Sequence, residues 1–196
     1  MPPEGPSIRL DPVHHRYWVG TRELLAVTAI LQTAGLVDAT WFTTASRACG
    51  AIIHRWAEAL DRGERVAPLE PVYEPYLDAY RRFRHDARPV WHGLEQMVAD
   101  YALGYAGTLD RWGTLQGESV VVDLKTGAIP SWAPLQLVAY ARLDLSGPAV
   151  ARRRRLVVQL RPTGRYGIRE YPVVNFGRDE RVFLAALAVA QWKRAA

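Results

Sequence analysis

The stretch from Gly107 to Gly127, GTLDRWGTLQGESVVVDLKTG, constrains the fold of this chain more than any other feature. It contains a β-branched run bounded by turn residues, which is typical of a buried central strand. The segment from Gly104 to Trp112 alternates like a second strand, and SWAPLQLVAYARLDL has the pattern of a helix capped at Ser131. Two strands followed by a helix predict an α/β layer with a central mixed sheet flanked by helices.

Further elements are predicted on both sides of this stretch. Near the N-terminus we expect a hairpin that turns at Gly20, followed by a helix from Thr28 to Gly35. A helix from about Trp41 to Leu60 has an apolar stripe with a spacing of four. The stripe residues are Ala48, Ile52, Trp56 and Leu60.

A third helix is predicted by the spacing of Tyr76, Tyr80 and Phe83, and it ends near Pro89. A strand is expected around Glu95. The last third of the chain predicts two strands joined by a Pro-Thr-Gly turn and a closing amphipathic helix. We expect one domain over residues 1–196, with the hairpin and first helix as an N-terminal module over about 1–40.

Composition excludes several classes of protein. No apolar run approaches the roughly 20 residues that a membrane helix needs, and the first residues lack the basic start and apolar core of a secretory signal. We therefore expect a cytoplasmic protein. The single cysteine, Cys49, cannot supply the cysteine set of a zinc ribbon or an iron–sulfur cluster.

The formal net charge of +5 comes from arginine far more than from lysine. Arginine is well shaped for phosphate oxygens, so a polyanionic partner is one explanation of the charge. An arginine-rich genome composition would give the same value without any nucleic acid, and charge alone does not separate the two.

Asp123 and Lys125 are two residues apart on the predicted strand, so their side chains project from the same face. On its own this pair also fits a solvated strand with a weak ion pair. A hairpin of the two strands would bring Asp110 beside Asp123, and two adjacent carboxylates repel each other unless a cation joins them. Magnesium-like ions bind such carboxylates together with substrate phosphate, which predicts hydrolysis of phosphodiester bonds.

These residues resemble a known family. The segments GYAGTLDRWG, VVVDLKTG and PLQLVAYA are similar to the core of the PD-(D/E)XK nuclease superfamily, and specifically to its RecB-like branch of exonucleases. The opening HHRYWVGTRELLAVTAIL is similar to the start of phage-type and mitochondrial genome maintenance exonucleases. The resemblance covers roughly Tyr17 to Tyr140 and implies a restriction-endonuclease-like core. One departure is Leu109, which stands where the family has a proline.

The resemblance implies roles for particular residues. Asp110 and Asp123 would bind Mg²⁺ or Mn²⁺, as one or two ions, with the backbone carbonyl of Leu124. His54, in ACGAIIHRWAEAL, would complete the metal shell. Lys125 would position or help to deprotonate the attacking water. Gln136 and Tyr140, four apart on one helix, would orient that water or the scissile phosphate. Glu95 is a further candidate ligand, with a solvated glutamate as the alternative.

Several cations and one tryptophan are candidates for contacts to nucleic acid. The residues in this set are Arg81, Arg82, Arg84, Arg111, Trp132, Arg152 and Arg154. Tyr80 and Phe83 are expected in the core, beside Arg81, Arg82 and Arg84.

The sequence thus predicts a metal-dependent deoxyribonuclease without an iron–sulfur cluster, acting as an exonuclease on single-stranded or end-processed DNA. The alternatives are a sequence-independent or restriction-type endonuclease and a catalytically inactive DNA-binding module. Compact nucleases of this kind resemble those of phages and of bacterial DNA repair and recombination. Polarity, strand preference, DNA versus RNA, a homo-oligomeric state and a partner protein stay open at this point.

Overall fold

A computed structural model describes residues 7–37, 43–66, 68, 70–143, 145 and 153–195 of the chain. The strands are β1 (Ile8–Asp11), β2 (Arg16–Val19), β3 (Arg22–Ala26), β4 (Val90–Asp100), β5 (Tyr105–Leu115), β6 (Glu118–Lys125), β7 (Arg154–Leu160) and β8 (Tyr166–Tyr171). The helices are α1 (Val27–Thr33), α2 (Thr44–Asp61), α3 (Glu74–Ala87), α4 (Ala133–Ala141) and α5 (Phe176–Ala195).

The strands form one sheet in the order β1-β2-β3-β5-β6-β7-β8, and β4 pairs with β5 as an additional strand. The sheet is mixed, because β3 runs parallel to β5 and β6 runs parallel to β7, whereas the other neighbours are antiparallel. This arrangement confirms the predicted α/β class with a central mixed sheet.

Helices cover both faces of the sheet, and strand β6 contributes to both cores. Val121 packs in a cluster with side chains of α1, α4 and α5. Val120, Val122 and Leu124 pack in a second cluster, with α2 and α3. Burial on both faces explains why this strand reads as an almost continuous apolar run. Asp123, two residues after Val121, therefore lies on the face that α4 covers.

Most of the predicted elements are confirmed, including the hairpin around Gly20, the third helix with Tyr80 and Phe83 in the core, and the strand through Glu95. The strand β1 was not predicted. The predicted cap at Ser131 is wrong, because α4 begins at Ala133 with Trp132 at the N-cap position and no side-chain cap bond. Pro134 lies in the first turn of α4, where a proline fits without losing a helix hydrogen bond.

The predicted apolar stripe of α2 is confirmed at Trp56 and is wrong at Ala48. The helix buries Ile53, Trp56 and Ala57, whereas Ala48 is exposed. A spacing of four residues advances 40° past a full turn, so a stripe read at that spacing drifts around the helix. The buried stripe follows the mixed spacing of three and four instead.

A buried ion pair joins β5 to α2 and α3. The Nε atom of Arg111 donates to Asp61 Oδ2 over 2.7 Å, and neither side chain is exposed to solvent. The hydroxyl of Tyr80 also donates to Asp61, and Arg84 Nε lies 3.1 Å from its other oxygen. The prediction that Arg111 contacts nucleic acid is therefore wrong in this structure, since its guanidinium is enclosed between the sheet and the helices.

We expect Arg111→Met to lower the free energy of unfolding by about 3–5 kcal/mol, because it leaves the Asp61 carboxylate buried without its principal cation. Urea denaturation measures this change. The matched control is Arg154→Met, which removes a partly exposed pair with Glu170 and should cost no more than about 1 kcal/mol. Equal losses in the two variants would contradict the importance of the buried pair.

Candidate metal and catalytic site

The candidate site lies where β5 and β6 separate. The ladder between these strands ends at the pair Arg111 and Val122. Beyond that point the backbone amide of Leu124 donates to Asp110 Oδ2 over 2.7 Å, so a side chain replaces the missing ladder acceptor. The predicted hairpin of these two strands is present, and it brings the segment of Asp110 against the segment of Asp123.

Three side chains from three elements converge at this separation. His54 of α2, Glu95 of β4 and Asp110 of β5 each offer a ligand atom, and these atoms all lie within 4.8 Å of one another. His54 Nδ1 is 3.2 Å from Glu95 Oε1 and 3.6 Å from Asp110 Oδ2. His54 Nε2 is 3.1 Å from the carbonyl oxygen of Leu124. Four of the predicted ligand groups are therefore within reach of one another.

The backbone of Glu95 adopts a conformation that is uncommon for a residue with a side chain. Its φ is +43°, although it lies within a strand. Its neighbours Leu94 and Gln96 pair with Arg111 and Leu109, so Glu95 lies opposite Asp110. A left-handed residue inside a strand is strained, and such strain persists where surrounding contacts enforce it. Arg111 provides one such contact by donating to Glu95 Oε1 over 2.9 Å.

The charge of His54 balances the two carboxylates around it. Burial alone would lower the pKa of His54, but the charges of Asp110 and Glu95 and the hydrogen bond to Glu95 raise it from 6.5 to about 9. A protonated ring can donate from both nitrogens, to Glu95 and to the Leu124 carbonyl. The imidazolium thus holds together the same oxygen atoms that would bind a metal cation.

Asp123 and Lys125 form a second pair, on the α4 side of β6. Lys125 Nζ lies 2.8 Å from Asp123 Oδ1 and 2.7 Å from Oδ2. Burial raises the pKa of the Asp123 carboxyl to about 6, and Lys125 opposes that shift. Burial would lower the pKa of Lys125, but Asp123 and Asp110 raise it, so the ammonium stays charged. The predicted ligand Asp123 lies outside the group formed by His54, Glu95 and Asp110, and its carboxylate pairs with Lys125.

Gln136 and Tyr140 of α4 are buried, and the charges of Asp110 and Asp123 act on the Tyr140 hydroxyl. Burial raises the pKa of the Tyr140 hydroxyl well above 10, so it remains a neutral phenol. Among the described residues, Gln136 Oε1 is a buried atom without a hydrogen-bond partner. Gly107 allows the close approach of this helix, since a Cβ there would lie 2.6 Å from the Tyr140 hydroxyl. The sequence prediction did not use this requirement for glycine.

The donor set of the three-residue group fits a divalent cation. It offers two carboxylates, one imidazole and a backbone carbonyl, and oxygen donors of this kind suit hard cations while imidazole suits first-row transition metals. Arg111 was not predicted as a support of the site, yet it bonds both Glu95 and the backbone carbonyl of Asp110. Nothing in the sequence pattern separates such a buried arginine from an exposed one.

The residues predicted to contact nucleic acid are dispersed. Arg81 pairs with Asp78 and lies 4.9 Å from the ring centre of Trp56. Arg82 is exposed, and Arg154 pairs with Glu170 and Glu118. Arg152 lies outside the described residues. Trp132 is 7% exposed and lies 5.9 Å from Lys125 Nζ, which leaves little ring surface for stacking on a base.

Comparisons with known proteins give only a distant structural similarity. No family model and no curated protein sequence matches the chain. A crystal structure of an alkaline exonuclease from Laribacter hongkongensis, LHK-Exo, aligns over 88% of this chain and 92% of its own with 12% identity and a TM-score of 0.33. A structure of LHK-Exo in complex with dAMP aligns over the same shares with a TM-score of 0.32. Similarity at this level carries no argument about what the chain does.

Helices long and apolar enough to cross a membrane are absent from the described part of the chain.

We expect the affinity of the protein for Mn²⁺ to rise about tenfold per pH unit between pH 6 and 8, because a ligating His54 must first lose one proton. The direction follows from the raised pKa of His54, since the ring is protonated below about 9. Isothermal titration calorimetry in buffers of different ionisation enthalpy measures both the affinity and the proton release. His54→Gln should bind more weakly and with a flatter pH dependence. An affinity of the unchanged protein that does not vary with pH would contradict this role of His54.

Proposed function

We propose that this chain is a metal-dependent nuclease of the PD-(D/E)XK superfamily that hydrolyses phosphodiester bonds in DNA as an exonuclease. The observation that carries the proposal is the convergence of His54, Glu95 and Asp110 within 4.8 Å beside the pair of Asp123 and Lys125. A bound cation and the nearby Lys125 ammonium would supply two positive charges. Such charges stabilise the negative charge that develops on a phosphodiester during hydrolysis. The proposal extends to the RecB-like branch without an iron–sulfur cluster, since the chain has one cysteine.

The cation would be Mg²⁺ or Mn²⁺, held by His54, Glu95, Asp110 and the Leu124 carbonyl. When bound, such an ion neutralises charge on a phosphoryl oxygen and lowers the pKa of water. Arg111 holds Glu95 in position by donating a hydrogen bond to its carboxylate. The Leu124 amide fixes the orientation of the Asp110 carboxylate through its hydrogen bond.

Lys125 acts as a positive charge in this proposal. Its raised pKa keeps it protonated at neutral pH, so it attracts a phosphate oxygen and does not accept a proton from water in this state. Both carboxylate oxygens of Asp123 contact the Lys125 ammonium and hold it in position. The packing of Trp132 near Lys125 limits the other positions that the flexible lysine can adopt.

Gln136 and Tyr140 act as neutral polar groups of the site. Tyr140 remains protonated, and Gln136 donates a hydrogen bond to its hydroxyl. The oxygen of Gln136 is then left as a buried acceptor with no partner among the described residues. A buried acceptor of this kind is suited to a water molecule that donates a hydrogen bond. We assign these two residues the role of orienting water at the site.

We expect the chain to remove nucleotides from one labelled end of linear DNA with Mg²⁺ or Mn²⁺ and to be inactive with EDTA. The measurement uses single- and double-stranded DNA labelled at the 5′ or the 3′ end, with closed circular DNA beside it. Lys125→Ala should lower the rate about 10²- to 10³-fold, as loss of a charge-stabilising donor does. Lys193→Ala is the matched control, because Lys193 lies on α5 and donates to the Thr33 carbonyl.

Cleavage of the closed circle would replace the exonuclease assignment with an endonuclease. An unchanged rate in Lys125→Ala would contradict the role of this lysine. DNA binding with no cleavage under any metal would reject the nuclease proposal in favour of a binding module.

A further inference from the structure

A groove leads from the protein surface to the three-residue group. It has a volume of about 970 Å³ and lies between β1, α2 and the paired strands β4 and β5. His54 and Glu95 form part of its lining, so the groove and the candidate cation site are continuous. None of the arginines predicted to bind nucleic acid lines it. A substrate that reaches His54 from this side has to pass along residues that the sequence did not single out.

Two exposed arginines line the groove, one on β1 and one on α2. Arg9 of β1 lies 5.7 Å from the ring centre of Trp18 on the paired strand, which limits its positions. Arg55 of α2 makes no ion pair or hydrogen bond to any residue in the described ranges. An unpaired guanidinium beside a cation site is suited to a phosphate.

The acidic side chains of the groove do not cancel these two cations. Glu58 accepts a hydrogen bond from Arg62 over 2.6 Å. Glu95 accepts from Arg111 and lies beside the protonated His54. Each acid is therefore already paired with a cation of its own, and the charge available to a ligand in the groove is positive.

The wall that α2 contributes to the groove has small side chains. It presents Gly50 and Ala51 to the groove. Glycine inside a helix costs roughly 1 kcal/mol relative to alanine, and packing does not require it here, since a Cβ on Gly50 would meet only Thr126 Oγ1 at an ordinary 3.8 Å. A glycine that the fold does not need is explained if a ligand backbone passes close to the helix.

We propose that this groove binds one strand of a nucleic acid, with Arg9 and Arg55 contacting phosphates of the strand that enters the candidate site. The choice of ligand rests on the proposed nuclease function. A single strand exposes the faces of its bases, whereas a duplex stacks them on one another, so an apolar lining beside the two arginines favours a single strand. The apolar side chains of Ile8 and Met97 in its lining are suited to base faces.

The test is the binding of a fluorescein-labelled oligothymidylate to the full chain in EDTA, measured by anisotropy over a range of salt concentrations. Each phosphate contact on a single strand contributes about 0.7 to the slope of log K against log salt. The double variant Arg9→Ala, Arg55→Ala should therefore reduce the slope by about 1.4. The control is Arg165→Ala, Arg181→Ala, which removes two exposed arginines outside the groove and should leave the slope unchanged.

A second pair of variants tests the groove without changing charge. Ala51→Leu should fill the groove and weaken binding, because Ala51 is exposed and lines it. Ala48→Leu adds the same side chain to an exposed position of α2 outside the lining and should bind like the unchanged protein.

The possible results distinguish failure of the groove proposal from failure of the nuclease proposal. Suppose that the chain cleaves DNA with metal, but the salt slope is unchanged in the Arg9, Arg55 variant. This result would reject nucleic-acid binding by the groove and leave the nuclease proposal standing. The predicted loss of slope in a chain that cleaves nothing would support the groove and reject the nuclease. A blunt duplex that binds as tightly as the single strand, with the same losses, would overturn the assignment to one strand.

Discussion

The buried carboxylates at the junction of β4, β5, β6 and α2 impose the main physical constraint on this structure. Unpaired charges in the interior are strongly unfavourable, so each carboxylate needs a cation or donors of its own. Arg111 pairs with Asp61 and Glu95. His54 pairs with Glu95 and Asp110, and Lys125 pairs with Asp123. The Leu124 amide completes the shell of Asp110. These ion pairs connect α2 and α3 to the central strand β5. The stability of the fold therefore depends on the same charged groups as the candidate site.

The site therefore has two sides separated by the backbone of Leu124. On the α2 side, the carbonyl of Leu124 and three side chains surround a position that the imidazolium of His54 now neutralises. On the α4 side, Asp123 holds Lys125, and Gln136 and Tyr140 of α4 are buried. The carboxylate of Asp110 raises the pKa of both His54 and Lys125, so the two sides share its charge. The groove along β1 and α2 reaches His54 and Glu95 on the α2 side.

The sequence predicted β2 to β8, the α/β class and the location of Asp110, Asp123 and Lys125 on the two central strands, because a buried β-branched run and a two-residue period are local signals. It predicted Glu95 as a candidate ligand with a solvated glutamate as the alternative, since its left-handed backbone and its position opposite Asp110 depend on strand pairing. It placed Arg111 on the surface, because burial of an arginine depends on a partner such as Asp61, 50 residues away. It missed Arg9 and Arg55 for a related reason, because β1 and α2 form a common groove only in the folded chain.

His54, Glu95, Asp110 and the Leu124 carbonyl together form the proposed cation site. The most direct measurement is a crystal structure of the chain soaked in Mn²⁺ at pH 8, with anomalous scattering collected at the manganese edge. We expect one anomalous peak bound by these four groups, with the His54 ring no longer bonded to the Leu124 carbonyl. Fully occupied manganese elsewhere, with His54 still donating to Glu95 and Leu124, would contradict it.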